Sequence, residues 1–249
     1  MQAASQPEFL VADPWLSGLL QRPAFRLGNL FAPAGIQELF ANKPAFVTAK
    51  CPVADTATVV RLQDANFRVI DAALTFNATA LHADERREGV RFARPQDRAA
   101  VRAIAARAFR YTRFHLDPVL PQALAHGIKA AWVDNFFCGQ RGDGMVVAED
   151  AGKIVGFLQL LWSNKVLVID LIAVAPEAER QGLASAMIGF AAANGSGDAR
   201  RPSSFRVGTQ AANIASCRLY EHLGFRFCES SFVLHHHGAG GPYPVMAAS

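Results

Sequence analysis

The chain has 249 residues, 51% of them hydrophobic and 18% charged, with a formal net charge of +4. That length suits one large or two small domains with a real core, and so mild a charge excludes the strongly basic surface of a nucleic-acid-binding protein. No apolar stretch reaches membrane-spanning length free of charge, and the four cysteines are scattered without a C-x-x-C pair, so free thiols in a reducing cytoplasm are expected.

Residues 1–88 read as a small α/β domain. The opening Met1-Gln2-Ala3-Ala4-Ser5-Gln6-Pro7-Glu8 lacks a basic region followed by an apolar core, so neither a signal nor a transit peptide is expected. Through Phe25-Arg26-Leu27-Gly28 the pattern is too irregular to assign. Ala45 to Lys50 then reads as a strand, Asp55 to Asp64 as a helix and Phe67 to Phe76 as a second strand. The charged run His82-Ala83-Asp84-Glu85-Arg86-Arg87-Glu88 marks the expected domain boundary.

From Val90 the patterning is more regular. A strand, Val90 to Arg94, ends at Pro95, and Val101, Ile104, Ala105 and Ala108 then form one apolar helical face. An aromatic and basic loop, Phe109 to Pro118, is a candidate substrate wall, followed by a helix carrying Leu124, Ile128, Ala131 and Trp132 on one side. Met145 to Glu149 and Lys153 to Leu160 flank Asp150-Ala151-Gly152, a hairpin signal. Ser163-Asn164-Lys165 turns the chain into a strand from Val166 to Ala173. A helix from about Arg180 ends near Asn194-Gly195, Phe205 to Thr209 is a strand, and a helix from Asn213 to Leu223 stops at Gly224. Phe225 to Leu234 makes the last strand, and a Gly- and Pro-rich tail, assigned to 236–249, is expected to be flexible. Residues 61–71 resemble 218–229 if one residue is inserted. A cut-down copy of the later fold in residues 1–88 and simple coincidence both account for so short a match.

The stretch Asp170 to Ile188 runs from an apolar strand through Pro176 into Gln181-Gly182-Leu183-Ala184-Ser185, small residues where a helix begins. The first N–H groups of a helix have no intrahelical partner and lie at the positive end of its dipole, so a pyrophosphate binds there without a cationic side chain. Gly182 and Ala184 let a ligand approach the backbone closely.

Val174-Ala175-Pro176 with Gly182-Leu183-Ala184, followed by Asn213-x-x-Ser216-x-x-x-Tyr220-x-x-x-Gly224-Phe225, resembles the acetyl-CoA-binding core of GNAT acetyltransferases. The resemblance covers roughly Val90 to Leu234. Within that superfamily Ala108 to Pro118, Trp132-Val133-x-Asn135-Phe136-Phe137 and Arg141-Gly142-Asp143 are similar to the TDP-fucosamine N-acetyltransferases of surface-polysaccharide synthesis, which also carry an extra amino-terminal domain. It implies an α/β fold with a central mixed, mostly antiparallel sheet flanked by helices over 89–235. It also implies acetyl-CoA as cofactor and the amine of a nucleotide-linked amino sugar as acceptor, in a cytoplasmic protein for which a homodimer is compatible. A protein, peptide or other small-amine acetyltransferase is the alternative enzyme, and a catalytically inactive acyl-CoA-binding module the alternative of another class.

The resemblance also implies roles. Ile172, Ala173 and Val174 offer main-chain groups to the thioester and pantetheine where two strands splay apart, and Glu179, Arg180, Gln181, Gly182, Leu183, Ala184 and Ser185 hold the pyrophosphate. Asn213 and Ser216 contact the cofactor, and Tyr220 protonates the departing thiolate, a general-acid role worth on the order of 10²–10⁴-fold. Glu179 departs from the family's usual Arg or Gln and is expected to turn outward, leaving Arg180 or backbone amides to carry the phosphate contact. Asp170 is a candidate base, with a structural hydrogen-bond acceptor as its bland reading. Arg113 and His115 are candidate substrate contacts, with packing as theirs. Cys217 reads as a packed thiol. His235-His236-His237 reads as a frayed strand end and not a metal site, because neighbouring strand residues alternate faces. No metal is expected.

Overall fold

The computed structural model describes residues 10–28, 34–82, 87–198 and 200–244. The first half contains β1 (Leu10–Ala12), α1 (Pro14–Leu20), β2 (Ala24–Leu27), α2 (Ala34–Phe40), β3 (Phe46–Pro52), α3 (Thr56–Asp64), β4 (Arg68–Ala78), β5 (Val90–Phe92), α4 (Arg98–Ala108) and α5 (Arg113–Leu116). The second half contains α6 (Gln122–Phe137), β6 (Gly144–Asp150), β7 (Lys153–Ser163), β8 (Val166–Val174), α7 (Leu183–Asn194), β9 (Ser204–Gln210), α8 (Ile214–His222) and β10 (Arg226–His237). They build two compact units, one from residues 1–73, 113–124 and 230–249 and the other from 74–112 and 125–229. This differs from the single division expected at 88/89, because β4 and β10 each contribute to both units. Residues 83–86, inside the charged run where that boundary was expected, lie outside the described residues.

In the first unit the strand order is β1-β2-β3-β10-β4. β2 runs parallel to β3, while β1 against β2 and β10 against β3 are antiparallel. Asp13 and Asp55 explain two of its helix starts, since their Oδ1 atoms accept from the N–H of Leu16 and Thr58 at 2.9 and 3.1 Å. Ile36, Val47, Cys51, Leu62, Phe67 and Leu234 bury its core. The expected flexible tail is corrected over its described part. β10 pairs with β3 as far as His237↔Phe46, and Tyr243 is buried with Arg22 stacked 3.5 Å from its ring centroid.

In the second unit the order is β10-β4-β9-β8-β7-β6-β5, a mixed sheet in which only β8 and β9 are shown parallel and β5 to β8 are antiparallel. Met145 to Ala148 on β6 and Phe157 to Leu160 on β7 are buried without alternation. Successive strand residues face opposite sides, so both faces of the sheet are covered, with α4 packed on β7 and β8 and α7 on β5 to β8. The β6–β7 hairpin closes on Ala151 and Gly152, both at positive φ (47° and 75°), the backbone of a two-residue type I′ turn. The expected substrate-wall loop is partly helical, with α5 inside it.

Candidate active site

β8 and β9 pair only from Val166↔Ser204 to Ile169↔Val207, although β8 continues to Val174 and β9 to Gln210. Beyond that point the two strands part, and a cleft of about 390 Å³ opens between them within the second unit. The cleft brings together Asp170, Ile172, Ala173 and Val174 from β8 with Asn213, Ser216 and Tyr220 at the other wall. Those residues are 50 positions apart at the extremes of Asp170 and Tyr220, and the splay joins them because strand backbone leaving a ladder must find other partners. Phe109, Arg110 and Tyr111 wall a further side. Arg113 and His115 belong to the first unit and are not among the cleft-lining residues described. Arg113 donates to Thr48 Oγ1 at 3.2 Å, and burial pushes its guanidinium down to about 10.

The turn before α7 holds Arg180 and Gly182 at φ of 61° and 74°, and Gly182 is the N-cap with no side chain capping the helix. The opening N–H groups of α7 therefore project from an uncapped helix start, a fit for an anion. Glu179 is exposed and lines the cleft, where an outward turn was expected. Arg87, which sequence reasoning did not single out, donates from Nη1 to the carbonyl of Gln181, and the same nitrogen lies 3.6 Å from the place a Cβ on Gly182 would occupy. A guanidinium thus stands at the turn where Glu179 supplies the wrong sign of charge.

Asn213 is the N-cap of α8, its Oδ1 accepting from Ser216 N–H at 3.3 Å, so its carbonyl serves the helix while its amide nitrogen remains a donor. One helical face further on, Tyr220 is 2% exposed between the rings of Phe76 and Phe225. Burial pushes its phenol above the ordinary tyrosine value, with a hydrogen bond to Ser216 acting in the opposite sense. The phenol is fully protonated at neutral pH, which is the state a proton donor needs. Gly224 follows at φ 92°, a backbone that favours glycine, and a Cβ there would sit 2.8 Å from the His82 ring. Cys217 is half-buried, and its thiol is raised, chiefly by burial, as fits a packed side chain.

Asp170 is the extra residue of a β-bulge, since Gln159 pairs with Leu171 and Leu160 with Ile169. Its carboxylate accepts from Arg141 Nη2 at 2.6 Å and Nε at 2.9 Å, and from Trp132 Nε1 and Gln159 Nε2 at 3.2 Å each. Four donors on one carboxylate leave little lone-pair density for taking up a substrate proton. The Lys129 ammonium, missed from the sequence, also lines the cleft, over the rings of Trp132 and Phe109 at 4.4 and 5.1 Å. A lysine three positions from a tryptophan in a largely apolar helix was the available signal, because residues i and i+3 share a face.

Residues 99–225 match the acetyltransferase (GNAT) family. The spore coat polysaccharide biosynthesis protein SpsD of Bacillus subtilis is 30% identical over 142 residues, covering 57% of this chain and 48% of that protein, so the chain spans about half the length of this curated relative. Two solved GCN5-related N-acetyltransferases share the fold. That from Sphaerobacter thermophilus has a TM-score of 0.57 at 15% identity, covering 94% of this chain and 77% of its own. That from Kribbella flavida has a TM-score of 0.55 at 15% identity, covering 88% and 82%. With a family match over more than half its length, on top of a parted strand pair, an uncapped helix start and a buried tyrosine in one cleft, the chain belongs to the GNAT acetyltransferase family.

Proposed function

We propose that the protein transfers an acetyl group from acetyl-CoA to the primary amine of a nucleotide-linked amino sugar. The observation that carries this reading is the meeting, in one cleft, of the β9-facing backbone edge of Ile172 to Val174, which stays paired with β7 but has left β9, and a protonated, buried Tyr220. When bound, acetyl-CoA supplies an acetyl group activated as a thioester. The backbone of β8 past Ile169 binds and orients the acyl end, because its N–H and C=O groups have left the β9 ladder. Gly182 to Ser185 present uncapped amides to the pyrophosphate, and Arg87 adds the positive charge that Glu179 does not. Asn213 donates from its amide nitrogen while its oxygen caps α8. Tyr220 holds a proton at its phenol oxygen for the departing sulfur, and direct attack by the amine requires no covalent enzyme intermediate.

For the proton leaving the amine, the geometry favours water over Asp170, whose carboxylate is engaged by Arg141, Trp132 and Gln159. We read Asp170 as the anion that fixes Arg141 and Trp132 at the acceptor end. A sugar acceptor is supported by the aromatic and basic wall of Phe109, Arg110 and Tyr111 along the cleft and by the polysaccharide role named for the B. subtilis relative. The test is CoA release with matched acceptors. A TDP-linked amino sugar should support turnover at least tenfold above a peptide amine in kcat/KM, and a preference for the peptide would overturn the sugar reading.

A further inference from the structure

We infer that Asp117, His235 and His237 form a binding site for one divalent transition-metal ion of the zinc class. The site lies wholly in the first unit, apart from the acetyl-transfer cleft. The strand period that argued against three consecutive histidines as ligands places His235 and His237, two apart on β10, on the same face. Both turn to one carboxylate from the segment after α5. His235 Nδ1 is 2.7 Å and His237 Nε2 2.9 Å from Asp117 Oδ2, and the three ligand atoms all lie within 4.8 Å of one another.

The donor set selects the metal. Two imidazole nitrogens and one carboxylate oxygen suit zinc and its first-row neighbours, whereas magnesium and calcium require oxygen throughout. Tetrahedral zinc places its ligand atoms about 3.3 Å apart, so both histidine–carboxylate separations must lengthen by about half an ångström, and all three atoms already lie within 4.8 Å of one another, a rearrangement within reach of side-chain rotation. Two of the three ligands are also held from behind, as metal ligands usually are, while His235 Nε2 is buried without a partner among the described residues. Tyr243 hydroxyl meets His237 Nδ1 at 2.5 Å, and Asp117 Oδ1 accepts from Val119 N–H at 2.9 Å.

Charge points the same way. The Asp117 carboxyl faces the His235 imidazole where both side chains have no exposure, so a charge held there has no solvent to screen it. The nearby cations are engaged elsewhere, Arg113 on Thr48 and Arg22 on the carbonyls of Gly241 and Pro242. A divalent ion in place of the shared protons neutralises the buried carboxylate directly. His237, with its side chain 14% exposed, is the side of entry.

The experiment uses the full chain purified without a polyhistidine tag. Metal content by plasma mass spectrometry, zinc titration against a chromophoric chelator and the visible spectrum of the cobalt-substituted protein are read on wild type and on His237→Gln. The expected result is about one zinc per chain, a rise of several degrees in Tm with zinc at a hundred times Kd, and tetrahedral cobalt bands, with affinity reduced at least tenfold in the variant. Should His237→Gln fail to fold, the wild-type stoichiometry and the cobalt spectrum decide alone. Absence of stoichiometric metal together with no zinc-dependent change in Tm overturns the site, as does undiminished zinc affinity in a folded His237→Gln.

Discussion

On β4 the Asp71 carboxylate is 7% exposed, its Oδ2 lacks a partner among the described residues, and burial pushes its pKa from 3.8 up to about 6. Between those two values the folded protein keeps a proton that the unfolded chain has released, so stability falls as pH rises through that window and stays lower above it. Asp71→Asn should therefore raise Tm at pH 7.5, by a gain on the order of 1–2 kcal/mol once partial solvent screening is allowed for, and leave it little changed at pH 4. Scanning calorimetry at both pH values checks this, and an equal gain at both would contradict the ionisation argument. Asp170 allows a parallel argument. As the fixed partner of Arg141 and Trp132, its replacement in Asp170→Asn should raise KM for the acceptor about tenfold while the acidic limb of the pH profile stays in place. Loss of that limb would make Asp170 the base. Tyr220, Asn213 and the small residues of the turn were legible as a motif. Arg87 and the Asp170 bulge were not, because each depends on where a distant segment folds back, whereas Lys129 had a local signal in its spacing to Trp132.

At the scale of elements, the local chemistry was readable wherever a residue has one dominant conformational use. Gly224 ends α8 at positive φ, Ala151-Gly152 closes the β6–β7 hairpin, and Asp55 caps α3. Elements fixed by packing were harder. β10 runs on through His237 because β3 is there to pair with it, and α1, β2 and α2 lie in a stretch whose apolar spacing matches no single period. The turn into α7 carries its own prediction. Its uncapped amides and the Arg87 guanidinium act together on the pyrophosphate, so Arg87→Ala should weaken acetyl-CoA binding about five- to tenfold by calorimetry, with Tm unchanged for an exposed side chain. Unaltered affinity would leave the helix amides to account for binding alone.

For the whole molecule, the family match over residues 99–225 and the mixed, mostly antiparallel sheet of the second unit agree with the fold expected from the sequence. The units themselves were not legible as a linear cut, since residues 113–124 and 230–249 join the amino-terminal segment. A fragment of residues 89–249 keeps strand 231–237 but loses β3, its partner through seven paired positions. Such an exposed edge promotes association, and the fragment is expected to aggregate or lose cooperative unfolding, as size-exclusion chromatography and thermal melting would reveal. A monomeric, cooperatively melting fragment would contradict this.

The central claim is that one buried phenol in the parted-strand cleft supplies the proton for acetyl transfer. Its most direct test is Tyr220→Phe, assayed for CoA release with a TDP-linked amino sugar and titrated with acetyl-CoA by calorimetry. Turnover should fall by on the order of 10²–10⁴-fold with the acetyl-CoA Kd kept within about twofold. Undiminished kcat in the folded variant would contradict the account.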